Sequence, residues 1–187
     1  MKLAIKPKII SSASQRARVL SYSWQLLEKD VKTIARQIKK NHKFDTLLVM
    51  VRGGMVPAIM LTHLLGRKDL AFFQVHRALS NNPHDWGDFQ IKNIPPIRRG
   101  EKFLLVEDII FTGKTLNKVI DYILSQGGKI TAIASLVADE KFLKSEAEKY
   151  PKINLICPHF CRHQQWIRFP WENKIRGEKL AGWLLGF

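Results

Sequence analysis

Cysteine is scarce in this 187-residue sequence, limited to Cys157 and Cys161. A fold stapled by disulfides is therefore excluded, and two thiols in a chain this long suit a reducing compartment. Acidic residues are also few: 16 Asp and Glu stand against 31 Lys and Arg, for a formal net charge of +15. No stretch approaches the roughly 18 consecutive apolar residues of a membrane-spanning helix. The first residues lack the apolar centre of a signal peptide, so the expected location is cytoplasmic. Internal repeats and interior linkers are missing too, which leaves one domain.

At 45% hydrophobic composition the chain can bury a continuous core. The excess of cations attracts polyanions such as nucleotides, pyrophosphate, RNA or acidic headgroups. Basic residues are spread along the chain and not gathered in one tail, so charge alone names no ligand.

Residues 1–20 are basic, Ser-rich and weakly periodic, and read as an N-terminal extension or loose arm. Ser23 is a candidate N-cap for a helix carrying Leu27, Val31, Ile34 and Ile38 at helical spacing. Thr46–Val51 is an apolar run of strand length, as expected where both faces of a parallel strand are covered. Val56–Leu65 reads as a helix ended by Gly66, and Leu70–Val75 as a second strand. From Arg77 to Glu101 there is no sustained period, and connections that long are functional or disordered. Phe103–Val106 forms a third strand, followed by a helix with Leu116, Val119, Ile120, Ile123 and Leu124 on one face. Lys129–Val137 is a fourth strand, Asp139–Tyr150 a charged helix and Ile153–Cys157 a fifth strand. Strands alternating with helices predict an α/β fold with a Rossmann-like parallel sheet.

The densest chemistry lies in Val106-Glu107-Asp108-Ile109-Ile110-Phe111-Thr112-Gly113-Lys114-Thr115. An apolar strand delivers two carboxylates to the carboxyl edge of the sheet, where open α/β folds bind ligands. Thr112-Gly113-Lys114-Thr115 then opens a helix whose free N–H groups and two hydroxyls make a phosphate cradle. Acids beside a phosphate make sense if they grip sugar hydroxyls or a bridging magnesium ion. A Walker A loop fails on spacing, because its first Gly would fall at Asp108. Earlier in the chain, Arg52-Gly53-Gly54 ends a strand, and its glycines let backbone N–H groups approach a second anion beside Arg52.

The segment from Val106 to Thr115 resembles the PRPP-binding motif of type I phosphoribosyltransferases (PRPP is phosphoribosyl pyrophosphate). The resemblance implies that Glu107 and Asp108 are the catalytic acids, contacting the ribose hydroxyls, with Asp108 also near Mg2+. It implies that Ile109, Ile110, Phe111, Thr112, Gly113, Lys114 and Thr115 form the phosphate-binding stretch, with residues 112–115 on the 5′-phosphate. Met50–Pro57 is similar to the family's pyrophosphate loop, which implies that Arg52 and Gly53 bind that group, often through a cis peptide equivalent to Val51–Arg52. Trp166-Ile167-Arg168-Phe169-Pro170-Trp171-Glu172 resembles the purine-stacking segment of bacterial xanthine-guanine phosphoribosyltransferases. There Trp166 would stack on the base and the Ile167 backbone would meet its exocyclic group.

The expectation is thus a Mg-dependent enzyme that takes PRPP and a 6-oxopurine nucleobase and works as a homodimer or homotetramer. A domain over residues 21–172 would carry the activity, flanked by the 1–20 extension and an amphipathic tail over 173–187. The sequence departs from the pattern in two places. Phe111 replaces the usual Asp beside the purine N7, and Ser135-Leu136-Val137-Ala138 stands where a purine-contacting Lys belongs, with Lys141 the nearest candidate. Two alternatives therefore stay open: a PRPP-sensing regulator or RNA-binding protein on the same fold, and an enzyme with a non-purine acceptor. The tail leaves a weak membrane-surface contact open as well. Residues 77–101 correspond to a mobile hood, whose basic contact would be Lys92, Arg98 or Arg99. Cys157, His159, Cys161 and His163 alternate like a zinc string, but on a strand they would span roughly 20 Å, too far for one ion.

Overall fold

A computed structural model describes residues 1–9, 19–77, 89–142, 149–161 and 166–172. Most of the hood (78–88, with His84, Asp85 and Asp88), much of the charged helix (143–148), His163 and the tail from 173 lie outside the described residues.

The chain forms β1 (Lys2–Leu3), β2 (Lys8–Ile9), β3 (Val19–Ser21), α1 (Trp24–Asn41), β4 (Thr46–Val51) and α2 (Met55–Leu65). There follow β5 (Leu70–Arg77), β6 (Phe89–Lys92), β7 (Lys102–Ile110), α3 (Lys114–Ser125) and β8 (Lys129–Asp139). The last elements are β9 (Asn154–Ile156), β10 (His159–Cys161), β11 (Trp166–Arg168) and a 3-10 turn, Pro170–Glu172. The main sheet runs β1-β9-β8-β7-β4-β5-β6, with β10 joining β8 to β2. Every pair is parallel except β5–β6. No helix among the described residues is long and apolar enough to cross a membrane.

Strand alternation sorts the core into two halves. Leu47, Val49, Leu104 and Val106 face α1 and α2, whereas Leu48, Met50, Phe103 and Leu105 face α3. Side chains on successive strand residues point to opposite faces, so an unbroken apolar run is what a sheet covered on both sides requires. The α1 stripe of Leu27, Val31, Ile34 and Ile38 is fully buried, each contributing about 1.5–3 kcal/mol. Ser23 caps α1 by accepting from Leu26 N at 3.1 Å, and Gly66 ends α2 in the left-handed region at φ 63°.

Residues 1–20 are not a loose arm where they are described. Met1 is buried, Lys2–Leu3 extends the sheet beyond β9, Lys8–Ile9 pairs with β10, and Val19–Ser21 pairs with β11 in a separate ribbon. These runs of two or three residues are too short for any periodicity to announce them. A buried polar group secures the last of them. Asp30, on the apolar face of α1, accepts from the Tyr22 hydroxyl and meets His159 Nε2 at 2.7 Å. Burial and the neighbouring Asp30 carboxylate push the Tyr22 phenol far above its ordinary range.

Candidate active site

β7 continues through Glu107 and Asp108 to Ile110, so the two acids lie within a paired strand and not beyond its end. Glu107 is in register with Ser135, and Ile110 with Ala138. The alternation then disposes the neighbours. Ile109 and Phe111 pack toward the α1 side and Ile110 is buried on the α3 side, which leaves their backbone as what a ligand would meet.

Asp108 is 8% exposed. One carboxylate oxygen accepts from Ile109 N at 2.7 Å, and its own amide donates to Glu107 Oε1 at 3.1 Å. The carboxylate does not turn into the core; it lies against the backbone of Gly53. A Cβ placed on Gly53 would sit 2.4 Å from Asp108 Oδ2, and one on Gly54 would sit 2.6 Å from Val106 O. Two segments some 60 residues apart in sequence thus meet at one point, and only glycine permits the approach. The Val51–Arg52 peptide bond leading into this loop is cis.

Both helices that open here are uncapped by side chains. Gly54 precedes α2 and Gly113 precedes α3, and neither start carries a side-chain cap bond. At α2 the Gly54 and Met55 amides already donate to Met50 O and Arg52 O and Pro57 has none, so it is chiefly the start of α3 whose N–H groups and positive end favour an anion. Thr112 Oγ1 lies 3.4 Å from Lys114 N, a long contact that leaves most of the cradle to a ligand. Gly113 adopts φ 66° and lies under Phe142, whose ring would come within 1.9 Å of any Cβ there. Thr112 and Lys114 are exposed and Thr115 is half-buried.

Burial dominates the electrostatics. It pushes Glu107 well above the usual carboxylate range, with the adjacent Asp108 charge adding to it. Burial likewise raises Asp108 to about 6, opposed by its hydrogen bonds from Glu107 and Ile109 and assisted by the charge of Glu172. Glu172 is held by Phe169 N, which donates to its Oε2 at 2.8 Å. In the sequence Glu172 is no more than the end of an aromatic motif; its nearness to Asp108 depends on a fold that brings the chain's last described turn back to β7. Hard carboxylate oxygens, desolvated and adjacent, are a donor set suited to a divalent cation such as Mg2+.

On the base side, Trp166–Arg168 forms β11, with Ile167 buried beside β3. Phe169 and Trp171 stack at 4.7 Å, and Phe169 also meets the Tyr22 ring at 5.3 Å. β8 ends at Asp139, which is 2% exposed and accepts from Lys141 N at 2.8 Å. Lys141 itself is exposed. Cys157 and Cys161 are free buried thiols; burial raises Cys157 well above its ordinary range and Cys161 to about 11.

A family model for the phosphoribosyl transferase domain matches residues 22–175. The chain belongs to that family. Its mostly parallel sheet with helices on both faces is the type I phosphoribosyltransferase fold. Xanthine-guanine phosphoribosyltransferase of Idiomarina loihiensis is 25% identical over 86% of this chain and 91% of its own length. Orotate phosphoribosyltransferase of Bartonella henselae is 26% identical, over 66% of this chain and 59% of its own length. The crystal structure of purine phosphoribosyltransferase from Pyrococcus horikoshii superposes with a TM-score of 0.63 at 25% identity, covering 87% of this chain and 99% of that one.

Proposed function

We propose that this phosphoribosyltransferase family member transfers the 5-phosphoribosyl group of PRPP to a 6-oxopurine, giving a nucleoside monophosphate and pyrophosphate. The supporting observation is the contact of the Asp108 carboxylate with the backbone of Gly53, which joins an acidic pair to two uncapped, glycine-opened helix starts. For the acceptor, support comes from the xanthine-guanine relative, which aligns over nearly its whole length where the orotate relative aligns over 59%.

In this reading Arg52 and Gly53 hold the pyrophosphate, Glu107 and Asp108 the ribose hydroxyls, and residues 112–115 the 5′-phosphate. Trp166 covers the base and the Ile167 backbone reads its edge. The bond from ribose C1 to pyrophosphate oxygen breaks with its electron pair leaving on oxygen, a ring nitrogen bonds to C1, and the proton that nitrogen loses passes to the departing pyrophosphate. The positive charge that develops on the transferred ribose is stabilised by position and fixed carboxylates. Phe111 offers no proton acceptor, which forgoes a contribution of about 10²–10⁴-fold. Glu107 and Asp108 would hold Mg2+, which supplies charge neutralisation for pyrophosphate. The enzyme is expected in the cytoplasm as a homodimer or homotetramer, a state that light scattering will read.

A second reading keeps the PRPP half and changes the acceptor. The strand after which the resemblance calls for a Lys ends instead at Asp139, whose buried carboxylate accepts from Lys141 N, so the cation expected to meet a 6-oxo group is missing from that strand end. Incubation with PRPP, Mg2+ and guanine, xanthine, hypoxanthine, adenine or orotate separates the cases. Nucleotide from the 6-oxopurines is the expected result. Product from adenine or orotate alone transfers the assignment to the second reading, and no product from any base removes both.

A further inference from the structure

We infer that the sheet edge opposite the candidate active site is a docking surface for the phosphodiester backbone of nucleic acid. Because the sheet is parallel, the starts of β1, β9, β8, β7, β4 and β5 lie side by side along that edge. Each carries a lysine at its first residue or within the three residues before it: Lys2, Lys152, Lys129, Lys102, Lys43 and Lys68, in that spatial order. All six are exposed. Among the described residues none of them takes part in an ion pair. At about 4.8 Å between neighbouring strands the row is roughly 24 Å long.

Of the acids in the same loops, Asp69 stands exposed beside Lys68, and the other two are spent on the loops themselves. Asp45 Oδ2 accepts from Lys102 N at 2.9 Å, and Glu101 accepts from Thr46 Oγ1 at 2.6 Å and Arg98 N at 3.0 Å. Backbone bonds knit the loops into one surface: Asp45 N donates to Lys102 O, Lys129 N to Glu101 O, and Gly100 N to Gly127 O. The lysines are therefore carried on a rigid rim. A structural reason for cations here exists, since α1, α2 and α3 all end at this edge, each with about half a negative charge. Lys39 and Lys40 answer that demand in the last turn of α1 and His63 stands in the last turn of α2, whereas α3 has no basic residue there and draws on the row; the remaining lysines and Arg98 and Arg99 come in addition.

The shape of the row decides the partner. Membrane-surface binding combines cations with an apolar face, but the aromatics of these loops are covered: Phe44 is half-buried beneath the Arg67 guanidinium at 5.0 Å and Tyr150 is buried. A line of point charges without an aromatic to stack a base fits backbone phosphates, read without sequence preference.

The test is fluorescence anisotropy with labelled 20-nucleotide single-stranded RNA, duplex RNA and single-stranded DNA between 50 and 200 mM salt. Six lysine–phosphate contacts on a single strand predict a log–log salt slope of about −4. The triple variant Lys102→Glu, Lys129→Glu, Lys152→Glu is expected to lose at least tenfold in affinity and about half of the slope, and the corresponding Lys→Gln variant to lie between. A control of equal charge change on the outer face of α1, Lys29→Glu, Lys32→Glu, Arg36→Glu, should stay within threefold of the parent. Saturating PRPP with Mg2+ should leave RNA affinity unchanged, because the two edges are separate. Displacement by PRPP, equal losses in the triple variant and the control, or binding to phosphatidylserine vesicles without binding to nucleic acid would each overturn the inference. None of these outcomes depends on which base the enzyme accepts.

Discussion

Asp108 carries two opposed demands. Packed against Gly53 it is desolvated, which disfavours its charge, yet holding a ribose and a cation requires that charge. Its folded pKa of about 6 exceeds the ordinary 3.8, so the folded protein binds more protons than the unfolded chain between about pH 4 and 6. Stability is therefore present at low pH and declines as pH rises through that window. Asp108→Asn removes the penalty. It should raise stability at pH 7–8 by on the order of 2 kcal/mol, with little change at pH 4, while PRPP binding disappears. Thermal unfolding at several pH values and calorimetric titration check the two halves separately. Gly113 poses a steric demand instead. Gly113→Ala places a methyl group into the Phe142 ring at a left-handed φ, and is expected to weaken PRPP binding at least tenfold and lower Tm by several degrees. A Gly113→Ala protein with unchanged PRPP affinity would show that this cradle is not the phosphate site.

At the scale of elements, the ribbon of β3 and β11 ties the chain's beginning to the segment assigned to the base. Tyr22 N donates to Arg168 O at 2.8 Å, and the Tyr22 ring packs on Phe169 while its hydroxyl serves Asp30. Tyr22→Phe leaves Asp30 buried with one donor fewer, a loss of about 1–3 kcal/mol. Its expected kinetic signature is a raised KM for the base with the PRPP dissociation constant unchanged, because the ribbon touches the aromatic segment and not the phosphate loops. The longer elements were legible in sequence for a physical reason: a strand such as Thr46–Val51, covered on both faces, must be continuously apolar, and α1 must repeat every three to four residues. The acidic pair and both glycine loops were legible because each needs particular residue types in an unbroken order. β1, β2, β3 and β10 were not, since two- and three-residue strands are chosen by the partner that receives them. The Asp30–His159 contact and the nearness of Glu172 to Asp108 join residues far apart in the chain, which no local pattern encodes.

The whole molecule divides its charge between two rims. One holds Glu107, Asp108 and Glu172 beside open helix starts; the other presents the lysine row. Occupancy of the first rim should couple to global stability by mass action. PRPP with Mg2+ at a hundred times its dissociation constant adds about 2.7 kcal/mol, or roughly 5–10 °C in Tm. That gain should shrink below about pH 6 as Asp108 takes up its proton. A gain that is flat down to pH 4 would separate the ligand from the acidic pair.

The pairing of Lys2–Leu3 with Asn154–Leu155 also sets an order of events during synthesis. Lys2 and Leu3 can find their seat only once the chain has been made out to Leu155, so that margin of the sheet closes late. Until then β9 keeps a bare flank of backbone donors and acceptors, the surface on which two half-made chains would adhere. Shortening the beginning of the chain should thus show first as a loss of soluble yield, ahead of any loss of catalysis.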